Sequence, residues 1–361
     1  MSLILPEWIA HIADEDKKKK ATIFSLHVHP DGSRLATGGL DCKIRIWATE
    51  PILNPAVEKM EGANKLLTTL DRHGGNVLVV RWSHSGKYLA SGADDKIAFI
   101  WILDTSGTGS GSFGSSTPNI ENWKPHRRLP AHDSDIVDIA WSAEDDYVAT
   151  VGLDSIVYIW SGSNFEKIRK LEDHNGFVKG VVWDPLGQYL ASQSDDKSLI
   201  VWRTDDWGWK LLLLNLSKVV LPVPSSEDLR EYFEPTFPSL QFFFSRSRRQ
   251  PQLFFSFLYA SFLYSWSPDG GKIIASNAMS GPIFTARMIE RSNWRADQNL
   301  VGHENSVVVA AYSPVAFKAE PGAIGSISTV FALGSLDQSV SIWKEGKGEP
   351  LLVRKTCSKE E

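Results

Sequence analysis

The chain has 361 residues, of which 42% are hydrophobic and 22% charged, with a formal net charge of −5. This balance is too apolar for a disordered chain and lacks the basic character expected of a nucleic-acid-binding domain. Cys42 and Cys357 cannot build a disulfide framework, and the opening residues lack the basic stretch and apolar core of a signal peptide, so nothing points to secretion. Fourteen tryptophans against four methionines is an unusual ratio that asks for a physical reason.

In chain order, LILPEWIA (3–10) reads as a short strand and the DEDKKKK run after it as a solvated loop. Then a unit begins to recur. KIRIW, IAFIW, IVYIW, SLIVW and SVSIW end in Trp47, Trp101, Trp160, Trp202 and Trp343. Six positions before each stands an Asp: Asp41, Asp95, Asp154, Asp196 and Asp337. Four of these Asp have a hydroxyl four positions earlier, at Thr37, Ser91, Thr150 and Ser192, and three have a His 22 positions earlier, at His73, His132 and His174. VLVVRWS (77–83), IVDIAWS (136–142) and FVKGVVW (177–183) are apolar runs suited to buried inner strands, each followed by a turn signal. LLTTL, HRRL and IRKL supply outer strands. Four short antiparallel strands per unit of roughly 40–60 residues describe the blades of an all-β propeller.

The spacing predicts a hydrogen-bonded network in which His bridges the turn Asp and the strand hydroxyl, and the hydroxyl meets the Trp indole. Recurrence in register makes this a structural device; a catalytic triad such as His132–Asp154–Thr150 would not be triplicated. Blade one has no His at the expected position, which is Lys19. Blade six has His303, 34 positions before Asp337, with AFKAEPGAIGS (316–326) as an insertion and Leu333 where a hydroxyl is expected. Blade five has neither the Asp nor the closing Trp, and TAR (285–287) stands at that strand end. These three blades are expected to rest on sheet packing. His27, His29 and His84 read as exposed loop or strand histidines, and no metal, cofactor or catalytic motif appears.

HPDGSRLATGGLDCKIRIW (29–47), WDPLGQYLASQSDDKSLIVWRTDDW (183–207), the NIENW segment (119–123) and ARMIERSNW (286–294) resemble the HIRA/HIR histone-regulator family of WD40 repeats. The resemblance covers about 1–210 and 264–355. It implies a seven-bladed WD40-type β-propeller acting without enzymatic activity in a nuclear histone chaperone complex, in replication-independent nucleosome assembly and transcriptional regulation. The implied partners are a ubinuclein-type subunit, other subunits of the HIR complex, histones through that complex, and chromatin, with no membrane and no small-molecule substrate. The middle WD subunit of the chromatin assembly factor shares the DPLGQY-type turn, and an unrelated adaptor such as a ubiquitin-ligase substrate receptor fits the repeats but not the linking segments. Arg203, Trp207 and Trp294, on turns, are the candidate partner-binding residues.

The expected organisation is one incomplete propeller over 1–355, with a Gly/Ser linker at 104–118 and a tail at 356–361. Residues 208–263 lose the repeat phase and hold nine of the 17 Phe, and are read as an aberrant insertion or a gene-model error. Their apolar run LFFSFLYASFLY is too short to span a bilayer, and RSRR is weak evidence for nucleic-acid contact. Six blades and an orphan N-terminal strand leave open strand edges, so the isolated polypeptide is expected to aggregate or to need a partner. A sharply melting monomer at micromolar concentration, measured by light scattering and calorimetry, is the contrary outcome.

Overall fold

A computed structural model describes residues 6–14, 19–106, 119–214, 219–222, 265–280, 283–296, 298–315, 317–318 and 327–355. β-branched and aromatic runs punctuated by Gly, Asp and Ser turns form antiparallel meanders, and the chain divides into two compact units, 1–196 and 197–361. In the first unit a small sheet pairs β1 (His11–Asp14) with β2 (Lys19–Ala21). Blade one follows as β3 (Ile23–Val28), β4 (Arg34–Gly39), β5 (Ile44–Ala48) and β6 (Leu66–Leu70), with α1 (Glu50–Leu53) and α2 (Pro55–Glu58) between the last two strands. Blade two is β7 (Val77–Trp82), β8 (Tyr88–Ala93), β9 (Ile97–Leu103) and β10 (Trp123–Pro130). Blade three is β11 (Ile136–Trp141), β12 (Tyr147–Gly152), β13 (Val157–Ser161) and β14 (Lys167–Leu171), after which come β15 (Val178–Trp183) and β16 (Tyr189–Ser194).

The second unit opens with β17 (Ser198–Arg203), β18 (Trp209–Leu214) and β19 (Val219–Pro222), so the start of the stretch that lost the repeat phase is paired strand. Residues 215–218 and 223–264 of that stretch, and 107–118 of the Gly/Ser linker, lie outside the described residues. Blade five is β20 (Ser265–Trp266), β21 (Lys272–Ser280), β22 (Ile283–Glu290) and β23 (Gln298–Val301). Blade six takes β24 (Val307–Tyr312), sets aside β25 (Phe317–Lys318) and β26 (Ile327–Ser328) as a separate pair, and continues with β27 (Val330–Ser335), β28 (Ser339–Lys344) and β29 (Leu352–Lys355). The fold class is the expected all-β propeller type. The N-terminal strand is displaced from expectation: residues 6–10 form a turn and bend, the strand begins at His11, and its partner is β2, whose Lys19 and Lys20 come from the charged run.

Blades pack face to face within each unit. One core cluster joins Ile46 and Leu70 of blade one to Val80 and Trp82 of blade two. A second joins Ile100 and Leu129 of blade two to Tyr158, Trp160 and Phe165 of blade three, and a third joins Met288 and Leu300 to Phe331 and Trp343. Because both faces of an interior blade are covered, its middle strands are apolar almost throughout rather than alternating. Five of the six described inner strands enter with a register shift, at Ile23/Ser25, Val77/Val79, Ile136/Asp138, Val178/Gly180 and Val307/Val309. Such bulges add local twist.

The inner-strand tryptophans also carry a polar connection between blades. Trp82 Nε1–H donates to the His27 carbonyl at 3.1 Å, Trp141 to Arg81 at 3.2 Å and Trp183 to Ala140 at 3.0 Å. The acceptors occupy one repeating position, so the surplus of Trp is explained by two architectural roles. His27 is not the exposed histidine expected: its Nδ1 accepts the Trp82 backbone N–H at 2.9 Å. Burial, then the charges of Arg81, His84 and His29, hold it neutral down to about 3. The outer face of β3 differs from its counterparts. Leu26 is 61% exposed, whereas Val80 and Ile139, paired at the same ladder position, are buried.

Trp141→Phe keeps most of the ring, including its stacking on Tyr88 at 6.0 Å, but leaves the Arg81 carbonyl without its donor. The expected loss is about 1–3 kcal/mol of stability, read from urea unfolding.

Candidate functional site

Each recurrent Asp sits at a tight strand-to-strand turn, and the residue after it is left-handed: Cys42, Lys96, Ser155, Lys197 and Gln338 have φ between 61° and 68°. The Asp carboxylate relieves such a turn by accepting the backbone N–H two residues on, as from Ile97 to Asp95 at 3.1 Å and from Ser339 to Asp337 at 2.8 Å. Its second task is to receive the loop that enters the blade. In blade two His73 Nδ1 donates to Asp95 at 2.9 Å, and the Gly74 N–H reaches the same oxygen at 2.9 Å. With its proton on Nδ1, the imidazole uses Nε2 to accept from Ser91 Oγ at 2.8 Å, and Ser91 accepts the Trp101 indole N–H at 2.8 Å. Blade three repeats this with His132–Asp154 at 2.9 Å, His132–Thr150 at 2.9 Å and Trp160–Thr150 at 3.0 Å. The fourth repeat places His174 3.1 Å from Asp196 and 2.8 Å from Ser192, while Trp202 is buried.

Two blades expected to lack the latch have it. In blade one His11 takes the role, 30 rather than 22 positions before the Asp: Nδ1 is 2.6 Å from Asp41, Nε2 is 2.8 Å from Thr37, and Trp47 donates to Thr37 at 2.9 Å. The intervening residues include the β1–β2 pair, which lengthened the spacing and hid the match. In blade six His303 Nδ1 lies 3.3 Å from Asp337 and 2.8 Å from Ser339. Its Nε2 meets Ser341 Oγ at 2.7 Å, and Ser341 accepts from Trp343 at 2.7 Å. Ser341 faces Leu333 directly across the ladder. The hydroxyl has therefore moved to the neighbouring strand at the same level; a Ser two before the closing Trp was the signal available. Among the described residues blade five shows no such set, and Thr285 Oγ1 is buried without a hydrogen-bond partner.

The latch histidines and hydroxyls are closed to solvent, and the Asp residues are half-buried. The histidines His11, His73, His132, His174 and His303 are all buried, as are Thr37, Ser91, Thr150, Ser192 and Ser341. Each hydroxyl is engaged by the ring on one side and, in blades one, two, three and six, by an indole on the other, so these sets present no open nucleophile. Among the described residues no group of His, Cys, Asp and Glu is arranged to hold a metal ion. Burial works to raise the Asp41 carboxyl, but hydrogen bonds from His11 and Arg45 outweigh it and hold the group at about 2; Asp337, held by Ser339 and the Glu304 N–H, behaves likewise.

The candidate contact residues share a different motif. Arg203–Gly208, Ser161–Glu166 and Glu290–Arg295 are outer hairpin turns closed by one pattern, in which the first residue's N–H donates to the sixth carbonyl at 2.8–3.0 Å. The fifth residue in each, Trp207, Phe165 or Trp294, is an aromatic at φ between 56° and 61° whose N–H returns to the first carbonyl. At Trp294 and Phe165 the ring meets the inner-strand Trp of its own blade. Trp294 meets Trp266 edge-on at 6.3 Å, as Phe165 meets Trp141 at 6.3 Å. Trp207 and Trp294 are half-buried rather than freely exposed, and Arg203 binds Asp206 through Nε at 3.0 Å within its own turn.

Comparison with known families resolves what this repeated architecture is. The family model described as the CAF1B/HIR1 β-propeller domain matches residues 11–321. The chain belongs to the CAF1B/HIR1 β-propeller family. Similar relatives include protein HIR1 of Mycosarcoma maydis, 53% identical over 355 residues that make up 98% of this chain and 31% of the relative. Protein HIR1 of Cryptococcus neoformans is 46% identical, over 98% of this chain and 36% of the relative, and protein hir1 of Schizosaccharomyces pombe is 39% identical, over 96% and 33%. The chain thus spans about a third of the length of these curated relatives, and the family match runs across residues 208–263.

Two results are expected of the latches in this CAF1B/HIR1-type propeller. Ser341→Ala should cost about 1–3 kcal/mol, like Thr150→Ala, because each strands a buried indole and imidazole; urea unfolding compares them. Acid should act in two stages. Unfolded His27 takes up its proton near its ordinary 6.5 while the folded ring resists to about 3, so stability begins to fall below that upper value. Asp41 and Asp337 protonate near 3.8 when unfolded and near 2 when folded, so their contribution, complete above 3.8, is lost as pH drops through that window. Melting temperature against pH should therefore decline gently below neutrality and steeply in the acid range.

Proposed function

We propose that this chain is the propeller of a HIR-type histone regulator: a non-enzymatic docking platform in a nuclear chaperone complex for replication-independent nucleosome assembly and chromatin transcriptional control. The observation that carries this reading is the extent of similarity to proteins named HIR1, which runs over nearly the whole chain at up to 53% identity. Its chemistry is consistent, since the His and hydroxyl of each recurrent set are buried and bonded within the blade. Its partners are a ubinuclein-type subunit, other HIR-complex subunits and, through them, histones and chromatin. Arg203, Trp207 and Trp294 support such docking as rigid anchors that fix the shape of the outer turns, rather than as protruding contacts.

A second reading is the middle WD subunit of the chromatin assembly factor, favoured by the family description, which names both proteins. Affinity purification of the tagged chain from nuclear extract with mass spectrometry separates them. Recovery of histones with a ubinuclein-like protein is the expected result. Recovery of the other chromatin assembly factor subunits supports the second reading, and recovery of cullin-type proteins without histones overturns both.

A further inference from the structure

The rim between blades two and three carries cations that neither the latches nor the blade contacts use. Leu129 of β10 is buried in one cluster with Tyr158, Trp160 and Phe165, so its face of β10 looks toward blade three. Arg127 is exposed two positions away, on that same face. Facing it from β14, Lys167 stands opposite Trp160 in the ladder and is exposed, with its ammonium 5.3 Å from the Tyr158 ring centre. The aromatic rings beside them are packed on one another, with Phe165 buried and Tyr88 and His126 half-buried. His126 stacks on Tyr88 at 5.6 Å and meets Phe165 edge-on at 5.7 Å, while Lys87 sits over Tyr88 at 4.9 Å.

His126 is held below its ordinary range by burial first and then by the charges of Arg127, Lys87 and Lys124. Lys124 has Asp104 at 3.1 Å as counter-ion. Arg127, Lys87 and Lys167 have no carboxylate partner among the described residues. Basic residues on outer strands blunt open edges in general. Here, in addition, they converge from two blades over aromatic rings.

We propose that this rim docks a short acidic polypeptide segment, its carboxylates reaching Arg127, Lys167 and Lys87. Arg paired with carboxylate and cations flanking aromatic surface are the chemistry that recognises such a segment. Nucleic acid fits less well: duplex binding draws on a longer track of phosphate contacts, and the chain is net acidic.

The test uses the 361-residue chain and a fluorescein-labelled glutamate octapeptide containing two leucines and one phenylalanine, followed by anisotropy at low salt. Arg127→Glu with Lys167→Glu should weaken binding about tenfold or more. Arg169→Glu makes the same charge change as Lys167→Glu alone, but on the opposite side of β14, paired with Ile159; it should alter binding less than about twofold, where Lys167→Glu alone should weaken it by more. Circular dichroism reports folding, and if the Glu pair does not fold, Arg127→Gln with Lys167→Gln should weaken binding in its place. The proposal is overturned if the unaltered chain does not bind the peptide, if Arg169→Glu weakens it equally, or if a short duplex DNA competes better than the unlabelled peptide.

Discussion

A buried imidazole placed between a carboxylate and a hydroxyl is the constraint on which five of the six described blades depend. The loop entering a blade is polar and irregular, and its backbone needs partners. The turn between second and third strands is left-handed at a non-glycine residue, which is unfavourable by itself. The Asp carboxylate answers both needs, bonding the turn's own N–H groups and the first N–H of the loop, as Asp154 does with Ile156 and Asp133. The ring then carries the connection inward to the hydroxyl and the closing Trp, tying turn, loop and sheet into one unit. A partly satisfied network of this kind is worse than an apolar core, so all its members must be present together.

The second layer of organisation joins blade to blade. Indole donors from Trp82, Trp141 and Trp183 reach carbonyls of the preceding inner strand, while the ring faces contribute to the apolar clusters between sheets. Tryptophan is the residue that supplies both a large apolar face and a single directed donor. Polar chains run alongside: Arg81 contacts Asp138 at 3.0 Å, and Asp138 accepts the Val181 N–H at 3.1 Å.

Most of this was legible in the sequence where spacing was preserved. The latches of blades two, three and four follow from the fixed interval of 22 between His and Asp, because loop and strand lengths are fixed by the sheet. The same geometry was hidden in blade one, where extra residues pair as β1 and β2, and in blade six, where the hydroxyl crossed from Leu333 to Ser341. Nothing in linear order distinguishes two residues facing one another across a ladder. His27 was misread for a related reason: its burial comes from the next blade, through the Trp82 N–H. The short helices α1 and α2 lack the length for a periodic signal. The candidate turn residues Arg203, Trp207 and Trp294 lie on hairpins, but the left-handed backbone at Trp207 and Trp294 is not written in residue type alone.

The direct test of the account is a double-mutant cycle on one latch, with His132→Phe, Thr150→Val and the pair compared by urea unfolding. If ring and hydroxyl satisfy one another in a closed network, each single change strands a buried polar partner, and removing both relieves part of that penalty. The account predicts a double variant less destabilised than the sum of the singles by about 1–3 kcal/mol. Strict additivity within about 0.5 kcal/mol would contradict it, and would leave sheet packing as what holds the blades.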